Sequence, residues 1–389
     1  MQRVIKALGL VFGDIGTSPI YTLSIVFLFF SSTKENVLGV LSLVIWTLIL
    51  LPTIQYSILA MSLSLRGEGG IIVLSEILKR FIKNYKIKNA ITFLSFLGIS
   101  FLIGDGVITP SISILSAVEG ISLIPYFAQI SYNEIVFISI IIAILLFTYQ
   151  SRGSEKVSAT FGPIMCVWFI SIFIAGIIYM VKLPEILKAF NPWYGFKFLI
   201  DQGYKGFLTL GIIILCATGS EAMYADMGHL GAKPIKIAWG FVFLAVTANY
   251  IGQGAYLLLN PEAKYLMFGM VWQISSYLYF PFLILTILAT VIASQAMISA
   301  MFSLFYQCIS ARYFPILKVK YTSPQLSSQI YIGTINWLLF FAVSYTMYHF
   351  TSSDKLAVAY GLAVTAVMVL TGIFLIVVFY IKRRKLFFL

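Results

Sequence analysis

Gly9-Leu10-Val11-Phe12-Gly13-Asp14-Ile15-Gly16-Thr17-Ser18-Pro19-Ile20-Tyr21-Thr22-Leu23 is the stretch that decides the fold. It lies inside a long apolar run, yet it carries an acid, three glycines, hydroxyls and a proline. A carboxylate isolated at bilayer depth costs at least about 3 kcal/mol on insertion scales, so it requires a partner or a water-filled cavity. Gly13, Gly16 and Pro19 weaken the helix ladder at the same place. The stretch therefore reads as a broken helix that exposes backbone carbonyls and Asp14 to a cavity. Such breaks are tolerated in membranes only when buried in protein or lining water, and transporters use them to form ion sites near the midplane. The plainer alternative is a Gly/Pro kink around a buried, hydrogen-bonded Asp14.

The rest of the chain is a membrane protein by composition. Of 389 residues, 60% are hydrophobic and 10% charged, and the mean hydropathy is +0.97. The first apolar segment lacks a small-residue cleavage pattern, so it reads as a retained span. Cys166, Cys216 and Cys308 all fall in apolar runs and read as small buried hydrophobes. Neither they nor His229 and His349 show metal-ligand spacing. The net charge of +12 does not point to nucleic acid, because the basic residues sit in short loops between spans.

Ten spans are expected, near residues 4–30, 37–65, 90–118, 134–150, 157–181, 207–230, 235–259, 278–310, 329–348 and 355–381. With the amino terminus in the cytoplasm, the inside segments hold 19 of the 26 Lys and Arg, and the outside segments 7. That bias places both termini in the cytoplasm of a multi-pass plasma (inner) membrane protein. Between spans two and three, Arg66-Gly67-Glu68-Gly69-Gly70 reads as a sharp turn. Ile71, Leu74, Leu78, Phe81 and Ile82 then form one face of a helix lying on the inner membrane surface. Residues 182–205 read as a longer aromatic outer loop, and spans four and five, which hold no intramembrane charge, as scaffold.

Span three carries Gly104-Asp105-Gly106-Val107-Ile108-Thr109-Pro110-Ser111-Ile112-Ser113. Asp105, Thr109 and Ser113 are spaced by four, so a helix puts them on one face as a stripe of oxygen ligands. Thr109 and Ser113 read equally as helix-packing hydroxyls. Glu119, near the outer end, either lines an entry path or is simply solvated. Span six repeats the chemistry of span one in Cys216-Ala217-Thr218-Gly219-Ser220-Glu221-Ala222-Met223-Tyr224. Thr218 and Glu221 are neighbours if the helix holds there. Asp226 reads as interfacial.

Spans one and six are each followed by four further spans. Five plus five, with an interrupted helix opening each half, is the pattern of an inverted-repeat transporter with its site between the halves. The expected fold is thus all-α and polytopic, one transmembrane core over 1–389, with repeats near 1–181 and 207–381. No Lys or Arg lies deep enough to neutralise Asp14, Asp105, Glu119 and Glu221, so a cation or a proton must. Hard oxygen ligands suit alkali or alkaline-earth cations. Carboxylates close together do not all ionise, which is the physical basis for proton coupling. An enzyme is not expected: Asp105 lacks the Gly-x-Gly-Asp context of intramembrane aspartyl proteases, and no His-Glu-x-x-His or Gly-x-Ser-x-Gly appears. An amino-acid carrier on the same fold is opposed by the surplus of buried acids. No cofactor is called for beyond a transported cation and a coupled proton.

The motifs around Asp14 and Asp105, with Gly67-Glu68-Gly69-Gly70, Ser116-Ala117-Val118-Glu119-Gly120, Thr218-Gly219-Ser220-Glu221-Ala222 and Tyr360-Gly361-Leu362-Ala363-Val364-Thr365, resemble the KUP/HAK/KT family of potassium uptake transporters over nearly the whole chain. The resemblance implies a LeuT-type fold and uptake of potassium with a proton. It implies a cation path lined by Asp14, Tyr21, Asp105, Thr109, Ser113, Thr218, Glu221 and Tyr360. Asp14 and Asp105 would face K+ and Glu221 would take the proton. It also implies a homodimer built through a cytoplasmic carboxy-terminal domain. This chain departs there, since it ends after ten expected spans without that domain.

Overall fold

The computed structural model describes residues 2–64, 69–150, 155–310, 312–321 and 330–386. Among them the chain is helical almost throughout, apart from an antiparallel ribbon pairing Lys320 with Tyr331 and Tyr321 with Ile330. Eight helical segments are long and apolar enough to cross a membrane: 34–62, 85–123, 132–149, 160–182, 192–217, 232–259, 276–310 and 353–382. The helix Gly333–Phe350 is also apolar but is not among them. Large apolar side chains remain exposed along these helices, such as Phe207 at 66%, Leu244 at 62% and Ile376 at 71%. An outer surface of this kind suits lipid, not water.

The opening stretch breaks as its composition dictates. Helix Gln2–Leu10 stops, helix Gly13–Thr17 follows, a 3₁₀ turn runs over Ser18–Ile20, and Thr22–Val26 resumes. All residues from Val11 to Leu23 are buried. The second break lies at Thr218-Gly219. Helix Pro192–Ile213 tightens into the turn Ile214–Ala217, Gly219 takes φ +77°, and helix Ser220–Ala225 starts anew. Only glycine holds that left-handed conformation without cost. Thr218 therefore stands outside the helix that carries Glu221, and the two are not neighbours on a helical face.

Two other expectations change. Residues 182–205 are not a loop: Pro184–Phe190 is a 3₁₀ segment and Pro192–Ile213 a helix kinked at Gly203. Pro192 opens that helix and the Asn191 side chain caps it by accepting from Trp193 N. The helix predicted after the glycine turn is present as Ile71–Phe81, and it packs against helices Tyr85–Glu119 and Ser353–Leu386. Leu65, Arg66, Gly67 and Glu68 lie outside the described residues, as do the side chains of the basic cluster after Lys382.

Without a hydrophobic drive between lipid-bathed helices, close packing must come from small residues. Gly176 and Gly252 supply it where helices Glu155–Lys182 and Ala232–Leu259 cross: a Cβ added at Gly252 would lie 2.5 Å from Gly176 Cα. The same device joins the broken first segment to the rest. Gly9 abuts Gly162, and Gly13 abuts Ala293 with 2.7 Å left for a Cβ.

Candidate cation site

At the first break the backbone is not left open. The Asp14, Ile15 and Ser18 carbonyls accept from the hydroxyls of Thr17, Ser18 and Thr22, at 3.0, 2.9 and 2.8 Å. Gly16 O accepts from the Trp168 indole at 2.8 Å, and Pro19 O from the Gln253 amide at 2.8 Å. The expectation of carbonyls facing a cavity is thus corrected: five carbonyls of the break are capped. A buried carbonyl without a partner costs about 1–3 kcal/mol, and hydroxyls one turn away are the cheapest donors.

The unfilled valences are on side chains instead. Asp14 Oδ1, Tyr21 OH and Ser113 Oγ are buried and make no hydrogen bond among the described residues. Asp14 is 5% exposed, Tyr21 2% and Ser113 0%. Thr218 lies beside both Asp14 and Tyr21. Buried polar atoms are nearly always satisfied, so an orphan requires an explanation such as an ion or water. Three orphans fall on residues singled out from the sequence.

A chain of oxygens continues from Asp14. Its Oδ2 lies 3.4 Å from Tyr360 OH, which lies 2.8 Å from Thr109 Oγ1, and Thr109 donates to Asp105 Oδ1 at 2.8 Å. The Asp105–Thr109 bond spans four residues within the unbroken helix Tyr85–Glu119, as the periodicity predicts. Glu221, half-buried, accepts from Tyr56 OH at 3.0 Å. Gly219 closes on the first break: a Cβ there would lie 2.9 Å from Asp14 Cβ and 3.0 Å from Asp14 Oδ2. The two interruptions therefore meet at Asp14, which feels the charges of both Asp105 and Glu221. Among the described residues the ion pairs are Lys34 and Lys188 with Glu185, so none neutralises these acids. Nor do three His, Cys, Asp or Glu side chains converge as a metal centre there. The acids are linked through hydroxyls, which suits a hard monovalent ion more than a transition metal.

Two cavities approach the cluster from opposite sides. One of about 120 Å³ is lined by Asp105, Glu221, Asp226, Tyr56, Tyr224 and Gly69 among others. The other, of about 170 Å³, includes Tyr21, Ser116, Glu119, Lys264, Ser353 and Asp354. Glu119 does line a cavity that reaches Tyr21, but it is not freely solvated. It is 3% exposed and accepts from Ser353 N at 2.8 Å and Ser353 Oγ at 2.6 Å. Asp226 is half-buried and lines the first cavity.

Sequence reasoning missed Tyr56, Trp168 and Gln253. Trp168 sits in a span read as scaffold. Tyr56 lies in a wide π-helical stretch, Ile49–Leu59, that contains Pro52. Such stretches cluster at functional sites, and the proline was the one visible signal. Gln253 pairs with Asn249 one turn away at 2.7 Å, a polar step inside an apolar run.

A helical membrane protein whose acids and hydroxyls gather where two broken helices touch is the class that the fold and the site define. The chain belongs to a potassium transporter family: the sequence profile described as K+ potassium transporter integral membrane domain matches residues 1–389. A Methanosarcina barkeri protein named "Probable potassium transport system protein Kup" is 55% identical over 383 residues, 98% of this chain and 64% of that protein. A Methanospirillum hungatei protein of the same name is 53% identical over 384 residues, 99% of this chain and 63% of its own length. "Probable potassium transport system protein Kup 1" of Geobacter metallireducens is 52% identical over 382 residues, covering 98% and 63%. The chain thus spans less than two thirds of the length of these relatives.

Proposed function

We propose that this chain takes up potassium across the plasma membrane by proton-coupled symport and alternating access. The observation that carries the reading is the set of buried, unpartnered oxygens at Asp14, Tyr21 and Ser113 beside unpaired acids. Potassium, as substrate, would sit among Asp14, Asp105 and the hydroxyls of Tyr21, Thr109, Ser113, Thr218 and Tyr360. Gathered carboxylates without cationic partners hold a cation, a proton, or each in turn. Glu221, which is held by Tyr56 and lines the 120 Å³ cavity, is the proposed proton carrier. A carboxylate substrate would meet repulsion from the same acids, which argues against an amino-acid carrier.

The proposed architecture is ten spans in two inverted repeats, near 1–181 and 207–381, with spans one and six interrupted. Both termini are proposed to be cytoplasmic, from the Lys and Arg bias. In that orientation the cavity with Asp226 lies on the inner side of the site and the cavity with Glu119 on the outer side. Homodimerisation is likewise a proposal and rests on the family resemblance alone.

The test is rescue of a potassium-uptake-deficient bacterium at low potassium, alongside Asp14→Asn, Asp105→Asn and Glu221→Gln. Rescue by the parent and loss in the three variants is expected. Equal growth of parent and variants, all inserted in the membrane, would remove the proposed site. Uptake that ignores a collapsed pH gradient and voltage would remove proton coupling.

A further inference from the structure

Glu119 lies at the carboxy-terminal end of helix Tyr85–Glu119, where the helix dipole disfavours an anion. It is buried at 3% exposure. What settles it is the start of another helix. Both carboxylate oxygens are taken by Ser353, the first residue of helix Ser353–Leu386, through its N–H and its hydroxyl. A carboxylate on a helix amino terminus meets unpaired N–H groups and the favourable end of the dipole. Asp354, next in the chain, adds a minor like charge beside it.

The same two helices are joined at a second level. Tyr360, seven residues beyond Ser353 and so about 10 Å along the helix, meets Thr109 at 2.8 Å. Thr109 and Glu119 stand on one helix about 15 Å apart. The helix that brings Tyr360 to Asp14 is therefore pinned at its first residue by Glu119 and about two turns further on by Thr109. Glu119, Ser353 and Tyr21, whose buried hydroxyl is an orphan, line one cavity.

We propose that Glu119 is a positioning latch: bound to Ser353 it holds Tyr360 in the site and closes this side, and its release opens the path past Tyr21. Released, Glu119 loses the helix amino terminus as partner while staying at the carboxy-terminal end of its own helix. It then presents an unpaired carboxylate to the mouth of the path, where a cation is its best partner. The inference rests on the transport reading for its meaning, but its test does not need transport.

Ser116, 2% exposed and one turn before Glu119, lines the same cavity and serves as the reporter. Ser116→Cys is introduced into the parent, Glu119→Gln and Glu119→Ala, and the proteins are purified into nanodiscs, which expose both faces. Labelling by a charged maleimide is read over the background of the native cysteines. Losing hydrogen bonds to a charged group is expected to raise the labelling rate roughly tenfold in Glu119→Ala, and less in Glu119→Gln, which keeps one acceptor oxygen. In uptake, the same variants raise the KM for potassium more than they lower the maximal rate. If Glu119→Ala fails to fold, Glu119→Gln decides alone. Labelling at the parental rate or slower in a folded variant overturns the latch, whatever uptake does. Faster labelling in a chain that moves no potassium would keep the latch and remove the transport reading.

Discussion

Gly219→Ala removes no polar atom and no ligand, yet it should damage the site. Two costs follow from the structure. At φ +77° any residue with a Cβ pays about 1–2 kcal/mol for the left-handed conformation. The new Cβ would also stand 2.9 Å from Asp14 Cβ, where contacts are ordinary only beyond 3.4 Å. Relieving that contact moves Asp14 by about half an ångström. At an effective dielectric constant of about 20, lengthening a cation–carboxylate separation from about 3.0 to about 3.5 Å costs about 0.8 kcal/mol. That is about fourfold in affinity. The strain lowers stability with or without the ion, whereas the displacement lowers affinity, so the two are separable. The assay is thermal unfolding of the purified protein across a potassium titration. Gly104→Ala is the control: it neighbours Asp105, lies within a helix and meets nothing within 4 Å. Alanine there should be neutral or stabilising by up to about 1 kcal/mol. A parental midpoint for potassium in Gly219→Ala, or equal damage in Gly104→Ala, would refute contact between the two breaks.

Tyr360→Phe keeps the ring and deletes a hydroxyl near both Thr109 and Asp14. Losing a hydrogen bond to a charged group is worth about 1.5–3 kcal/mol, so KM for potassium should rise by about ten- to a hundredfold; a parental KM would take Tyr360 out of the site. Trp168→Phe leaves Gly16 O buried without a donor. It should lower stability by about 1–3 kcal/mol in chemical or thermal unfolding, and unchanged stability would show that water or another donor replaces the indole. Tyr56→Phe frees Glu221 from its donor. The pH profile of uptake should move while potassium affinity at the profile's optimum stays close to parental, and an unmoved profile would dissociate Glu221 from the proton.

Both breaks were legible because glycine and an acid inside an apolar run, joined by a proline in the first, conflict with a continuous membrane helix. The Asp105–Thr109 bond was legible because it follows from helical spacing alone. Partners from distant spans were not. Trp168, Tyr56 and Gln253 sit in runs where an aromatic or an amide reads equally as helix packing, and their targets lie 152, 165 and 234 residues away. Two of the five carbonyl caps, from Trp168 and Gln253, were missed for the same reason, whereas Thr17, Ser18 and Thr22 are local donors whose capping role was not read. Residues 182–205 read as an aromatic outer loop, although most of them belong to a 3₁₀ segment and to a helix that kinks at Gly203. Glu119 read as either lining an entry path or solvated, and nothing local reveals its partner Ser353.

The most direct measurement is the anomalous signal of rubidium or thallium in crystals of the protein, since either ion stands in for potassium and reports its own position. A peak within ligand distance of Asp14 Oδ1 and Tyr21 OH or Asp105, lost in Asp14→Asn, is the expected result. A protein that takes up potassium but places its ion away from Asp14, or keeps the same peak in Asp14→Asn, would contradict a site built where the two broken helices meet.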